Sequence, residues 1–564
     1  MNAKIHALNS TLACAMGLGL LASCTDPFHT AIPAQTGGAA GGPSAGNGGS
    51  GGGGTAGVGG GNQTTGGNGG GNADARPAAD ATPRRGRVDA SPTVLAERRC
   101  TPLPEPMDEV LGLDCPLTGI AETMPWFPVT PPLGDLSCFP QPHPADECPF
   151  YRPTVQQFMR ATQPAADGSP LFVTWRTIET AFGAHRNDPM PAVPVIEGGI
   201  TQAGGRRILI DRNGYPVYYG IHLNPTFVEF IKEFGLDEGV DAVKNADPNL
   251  EIPEGAITTK EAWQVVPPGT TPPANYITIA AKVPTFRLMT NGAVVDVVQD
   301  DTMLRDVNLQ LVGMHVVHTL PGHPEMIWGT FQHQQPDGQL DIAPTTDNKN
   351  EPDISAVIVE PMGITYSLFP PMTPKMQASI GRETAAIAPM FNEAMQRFTP
   401  AQVTPVYRLY PASKSHTADE DEAIVKLNGN VAMAWTAYKT ANPSPNDRRG
   451  NYRFIGATWQ DVPQLSFALN VVLTNNEALG NIKTNGGDDP LSITGGEDRL
   501  SGVALESFTQ GVGSFASCFT CHDTRSATKN GIPTAKDTAA PALMEAKKIN
   551  VSHVFNEVVR LNLR

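Results

Sequence analysis

Near the end of the chain, Cys518-Phe519-Thr520-Cys521-His522 places two thiols and an imidazole at a spacing that suits one metalloporphyrin. Two cysteines separated by two residues can each bond to a vinyl group of a haem, and the adjoining histidine can bind its iron. One haem c is therefore expected, held covalently by Cys518 and Cys521 with His522 as proximal iron ligand. A redox dithiol and half of a zinc site are the competing chemistries. Neither is favoured, because the chain has no second C-x-x-C and no strand–helix thioredoxin pattern leads into this one.

The elements around the motif limit how a haem could be housed. Only 42 residues follow His522, too few to enclose a porphyrin. A large body upstream must then supply much of the pocket and set its polarity and solvent access. Gly502–Ser517 is expected to be the helix carrying the motif. In the tail Val551–Arg564, Val554, Phe555, Val558 and Leu561 recur at helical spacing and predict a helix packed back on the body. Met544 is the tail candidate for the sixth iron position, since thioether ligation raises the potential and saturates the iron. Core packing is the ordinary use of such a methionine. His553 is a second candidate. His315 and His318 fall on opposite faces of a strand and cannot chelate one metal together, and with His323 they read as structural histidines.

Covalent haem attachment of this kind takes place outside the cytoplasmic membrane, and the N-terminus reads as an export signal. Lys4 and His6 precede an apolar stretch, Leu12 to Leu21, that is too short for a stable span. Leu21-Ala22-Ser23-Cys24 then resembles the lipobox of bacterial lipoproteins, which implies cleavage after residue 23 and a lipidated Cys24. Thr25 in place of an aspartate favours outer-membrane anchoring, facing the periplasm or the cell surface. Residues 24–99 form a tether without periodic apolar positions, almost all Gly, Ala, Ser, Thr and Asn from Gly37 to Asn72. A Gly-rich coil of that length spans about 30–35 Å.

Of the eight cysteines, Cys14 lies in the signal and four remain beyond the lipid and haem sites: Cys100, Cys115, Cys138 and Cys148. In an oxidising compartment they most simply form two disulfides stapling the Pro-rich segment 100–152, with three pairings open. A four-thiolate zinc site is the rival, but no knuckle spacing supports it.

The body, residues 153–500, mixes strand and helix signals without a βαβ rhythm. That predicts an α+β fold of mainly antiparallel sheet with packed helices, followed by a haem-attachment segment, residues 501–564. Asn213-Gly214 joins two β-rich runs as a hairpin turn. Asn224-Pro225 opens a helix with Phe227, Phe230, Ile231 and Phe234 on its buried face. Strands are expected at Tyr276–Lys282, Asn308–His318, Met326–Gln332, Ile354–Val359 and Tyr452–Trp459, and helices at Lys375–Phe398 and Ala423–Ala441.

Three groups of residues carry a wider resemblance: Ile257-Thr258-Thr259-Lys260-Glu261-Ala262-Trp263; Leu311 to His318 with Pro324 to Phe331; and Leu505-Glu506-Ser507-Phe508 leading to Ser517-Cys518. They resemble blocks of exported bacterial proteins of the cytochrome c family that carry a single late C-x-x-C-H behind a large body. The block from Gly255 to Trp263 and the late motif are also similar to the β-sheet cytochromes that oxidise hydroxylamine. Those have an open iron site and, in some, a lysine–porphyrin link, to which no lysine here is matched. The resemblance implies a haem protein of the periplasm or cell surface and supplies no substrate.

A net charge of −16 with 40 % hydrophobic residues argues against nucleic acid and anionic membrane surfaces as partners. Membrane contact would come through the anchor alone. Asp419 to Glu422 reads as a solvated helix start, and no nucleophile elbow, phosphate loop or zinc-protease helix is present. The expectation is a lipid-anchored monohaem cytochrome transferring electrons to or from an unidentified redox partner of the cell envelope. Two alternatives are a haem enzyme oxidising a small molecule or peroxide at an open iron, and a surface binding protein with a structural or sensor haem.

Overall fold

The structure is a computed structural model, and it describes residues 148–200, 207–291, 294–320, 323–335, 368, 382–383, 390–399, 422–460, 482–483, 490–491, 494–496, 500, 502, 504–506, 522, 524, 527–528 and 542–561. The expected strand Ile354–Val359 and residues Asp419 to Asp421 lie outside these. Among the described residues no helix is long and apolar enough to cross a membrane.

A curled antiparallel sheet of eight strands organises the chain: β1 (Arg176–Thr177), β2 (Tyr218–Leu223), β3 (Ile257–Val265), β4 (Thr278–Asn291), β5 (Val294–Leu320), β6 (His323–His333), β7 (Tyr452–Gln460) and β8 (Thr494–Gly496). The order is β1-β2-β3-β5-β6-β7-β8, with β4 also on β5. β5 is 27 residues long because it serves two partners in succession along one edge. Its first part pairs with β4 from Asn291↔Val294 to Thr278↔Gln310, and its last part pairs with β6 from Gly313↔Gln332 onward. The other edge of its second half carries β3. The mixed α+β expectation is met in this coarse form: helices packed on a mainly antiparallel sheet.

Side chains alternate between the two faces of the sheet, and each face has its own core. On one face lie helices α1 (Cys148–Ala161) and α3 (Glu422–Ala441), around Trp263, Phe331, Phe454 and Trp459. Phe158 stacks on Phe331 with ring centroids 4.0 Å apart, and Phe150 stacks on Trp459 at 4.1 Å. On the other face lie α2 (Pro225–Glu233) and α4 (His553–Leu561), around Leu223, Val317, Met326 and Trp328. α1 runs across position 152. α3 forms despite Gly429, at which an added Cβ would meet nothing.

Local chemistry explains the elements that were expected and those that were not. Asn224 caps α2, its Oδ1 accepting the Phe227 N–H at 3.0 Å with Pro225 at the first helical position. Phe227, Phe230 and Ile231 are buried as expected, but Phe234 stands 51 % exposed at the helix end. The Asn213-Gly214 turn is present: Asp211 accepts the N–H groups of Asn213 and Tyr215, each at 2.8 Å, and Gly214 takes φ +86°. The two runs pair as a short hairpin, with the Asp211 N–H on the Tyr215 carbonyl at 2.8 Å and the Val217 N–H on the Leu209 carbonyl at 2.9 Å, and the second run then enters the main sheet as β2.

The helix expected at Lys375–Phe398 is not formed where the structure describes it. Arg382–Glu383 is extended and pairs with Arg207–Ile208, and Phe391–Asn392 pairs with Arg397–Phe398 as a small hairpin. The apolar periodicity lost to tertiary pairing: the Gln396 side chain makes both hydrogen bonds to the Phe286 backbone, at 2.7 and 2.8 Å.

Candidate functional site

His522 lies against the face of the sheet that carries α2 and α4. Its ring sits 3.9 Å from that of Trp328 between centroids, tilted by 42°. Its Nδ1 is 3.2 Å from the carbonyl oxygen of Val551. A carbonyl can only accept, so Nδ1 carries the proton and Nε2 is the nitrogen with the lone pair. Metal-bound histidines have this arrangement, with one ring nitrogen donating to a carbonyl and the other on the metal. The residues present thus fit an iron ligand at His522. Cys518 and Cys521 lie outside the described residues, as do Cys24, Cys100, Cys115 and Cys138; Cys148 is the first residue of α1.

Tertiary packing fixes the Val551 carbonyl. Val551 ends a 3-10 turn, Lys548–Val551, directly before α4. The Lys548 N–H bonds to the Pro248 carbonyl at 2.9 Å, and the Lys547 ammonium to that of Ala246 at 2.8 Å. α4 buries Val554, Phe555 and Val558, with the Phe555 ring edge-on to Phe182 and Phe227. Met544 ends a short strand, Ala542–Met544, paired with Ala527–Thr528. It is 1 % exposed and belongs to the same apolar cluster as Trp328 and Val551. His553 is the first residue of α4. Of the segment expected as a motif-carrying helix, residues 502 and 504–506 are described. They make one turn, with the Glu506 N–H on the Gly502 carbonyl at 2.8 Å.

That turn presses Glu506 onto the sheet two residues along β6 from Trp328. Thr330 donates its hydroxyl to Glu506 Oε1 at 2.8 Å and lies 2.9 Å from His315 Nδ1. His315 Nε2 is 3.2 Å from the same carboxyl oxygen. Lys260 is the cross-strand partner of His315, and the Tyr219 hydroxyl bonds to the Ala504 carbonyl at 2.8 Å. Close approach requires small residues here. A Cβ on Gly502 would lie 2.5 Å from Glu506 Oε2 and 2.5 Å from Thr330 Cγ2, and one on Gly313 would lie 3.1 Å from Ala504.

Burial pushes the Glu506 carboxyl up to about 8, against the opposing pull of the Thr330 hydroxyl and the Lys260 charge. It also lowers His315 to about 3, with Lys260 adding to the effect. Burial thus disfavours the charged form of both groups where they meet. Tyr219 is held well above its ordinary range by burial and by Glu506.

Sequence reasoning missed this cluster, although its residues were in view. Lys260, His315, Thr330 and Glu506 come one each from the stretches Ile257–Trp263, Leu311–His318, Pro324–Phe331 and Leu505–Phe508. Taken singly, each reads as an ordinary strand or turn residue; the sheet register brings them together. The expected split of the histidines is seen, since His318 turns to the opposite face and lies 2.9 Å from Thr154 of α1. His323 pairs with Glu325 at 2.7 Å. A second buried pair, His222 with Glu261 at 3.0 Å, also had no sequence signal. Among the described residues no three His, Cys, Asp or Glu side chains are grouped to hold a metal ion. No family model, curated protein or solved structure matches this chain.

Proposed function

We propose that the protein is a monohaem c-type cytochrome of the cell envelope, lipid-anchored through Cys24 and acting in electron transfer. The observation that supports this reading is the hydrogen bond from His522 Nδ1 to the Val551 carbonyl, which leaves Nε2 as the ring nitrogen that a haem iron would take in the Cys518-x-x-Cys521-His522 motif. A haem bound there would supply a one-electron Fe(III)/Fe(II) couple. The chain's own part is to hold the imidazole: Val551 fixes its tautomer, and Trp328 covers one side of the ring. Met544 stays the candidate sixth ligand, buried in the cluster that includes Trp328. The segment 501–564 would then act as the haem-attachment segment laid on the sheet. Outer-membrane anchoring, the two disulfides and a redox partner in the envelope belong to the same reading.

Expression in a host with a periplasmic haem-maturation system tests it. The full chain should carry haem that survives denaturing electrophoresis, and Cys518→Ser with Cys521→Ser should abolish it. Wild-type protein without covalent haem would sink the proposal. A haem enzyme with an open iron is the second reading, favoured by the acid–base cluster of Lys260, His315 and Glu506 near Trp328. Ready binding of carbon monoxide by the ferrous protein supports it and removes Met544 as ligand.

A further inference from the structure

We infer that the Thr330–His315–Glu506 cluster is a proton-binding site coupled to the haem, so that one-electron reduction of the iron draws a proton onto Glu506. This rests on the haem reading above and goes beyond it: the natural partner is a carrier or substrate that gives up electron and proton together, such as a hydroquinone or an X–H compound.

The hydrogen bonds argue for the proton before any titration is considered. Thr330 has one hydroxyl proton and two partners, Glu506 Oε1 at 2.8 Å and His315 Nδ1 at 2.9 Å. If that proton goes to Glu506, His315 must donate from Nδ1, and its Nε2 lone pair then faces Glu506 Oε1 at 3.2 Å. Two electron pairs at that separation repel unless a proton sits between them. If the hydroxyl proton goes to His315 instead, Glu506 must itself be protonated to donate to Thr330. Either arrangement stores one proton on the Glu506–His315 pair, and burial, which disfavours both ions, places it on the carboxyl.

Position supplies the coupling. Trp328 and Thr330 are alternate residues of one strand and so share a face, with their Cα atoms about 7 Å apart. One touches His522 and the other Glu506. Loss of a positive charge at the iron on reduction would therefore raise the affinity of Glu506 for its proton through a poorly screened interior. The balance is Fe(III) with the Glu506 carboxylate, plus one electron from the donor and one proton, giving Fe(II) with the carboxylic acid. Among the described residues, the titratable and charged groups facing Glu506 include His315 on β5, Lys260 on β3 and Tyr219 on β2. His315 and Tyr219 stay neutral across the working range, and Lys260 sets where the window falls.

Spectroelectrochemical titration of the full-length holoprotein between about pH 5 and 10 tests the inference. The midpoint potential should fall with pH inside a window, approaching 59 mV per unit, the tenfold-per-unit slope for one proton with one electron. Glu506→Gln should flatten the slope, and Lys260→Gln should move the window to higher pH by removing the cation that opposes protonation. A flat wild-type potential overturns the inference, and so does a Glu506→Gln protein that keeps the slope. If that variant fails to fold, redox-difference infrared spectra of the wild type decide: a deuterium-sensitive carboxylic acid band must grow on reduction, and its absence overturns the proposal. Haem content is measured first, so absence of covalent haem counts against the cytochrome reading and a flat potential in haem-loaded protein against this one alone.

Discussion

The cluster at Glu506 depends on single atoms that are not there. Gly502 leaves room for the Glu506 carboxyl and the Thr330 methyl, and a Cβ at 2.5 Å from each would push the turn off the sheet. Gly502→Ala should therefore destabilise the chain by about 1–3 kcal/mol, as overpacking does. Urea denaturation would show it; an unchanged midpoint would mean the turn yields freely. At this scale the sequence was most legible where neighbouring residues act together, as at the Asn213-Gly214 turn. It was least legible where chemistry is assembled from residues far apart, as with Thr330 and Glu506, 176 positions from one another. No local pattern marks such a pair.

Helix α2 shows how much one residue can organise within an element. Asn224 Oδ1 accepts from both Phe227 N–H and Ile257 N–H at 3.0 Å, and its Nδ2 donates to the Gly255 carbonyl at 2.8 Å. The cap thus ties the helix to the start of β3, and Asn224→Ala should cost about 2–3 kcal/mol, more than a cap alone. A loss under 1 kcal/mol in denaturant titration would show that water replaces these bonds. The Asn-Pro start was legible because capping is local chemistry. The periodicity at Lys375–Phe398 misled because Gln396 is held by Phe286, 110 positions away, and that tertiary bond outweighs a weak helical preference. The length of β5 was hidden for the same reason: only its second half was expected, since nothing nearby shows that one strand serves β4 and then β6.

At the scale of the whole molecule, four buried groups among the described residues stand out in the response to pH. Asp211 is raised to about 7 and Glu506 to about 8, while His315 is lowered to about 3 and His318 to about 4, each chiefly by burial. A carboxyl with a raised folded pKa makes stability fall as pH rises from its unfolded value to its folded one. A histidine with a lowered pKa makes stability fall as pH drops from its unfolded value to its folded one. Between about pH 4.5 and 6.5 the two pairs oppose each other, leaving a plateau. Above 6.5 only the carboxyls act, so stability should fall by about 2–3 kcal/mol by pH 8. Chemical denaturation across this range checks it, and stability that rises above pH 6.5 would contradict the burial of these groups. The antiparallel character of the molecule was legible from strand composition and turn residues. Its two separate cores, one on each face, were not, because β3, β5 and β6 are buried on both sides and alternate less than half-exposed strands do.

The route of the chain also dictates an order of events in time. Most strands pair with near neighbours in sequence, whereas the last segment returns to strands laid down far earlier, Ala504 to Tyr219 across 285 positions. Contacts of such separation form slowly, because a long loop must close before they gain anything. The sheet can therefore assemble while residues near Ala504 are still loose, and the haem attachment proposed above, if made then, would precede docking of that segment. Docking of the late segment would then be the last step of folding, fixing Glu506 and His522 on the sheet.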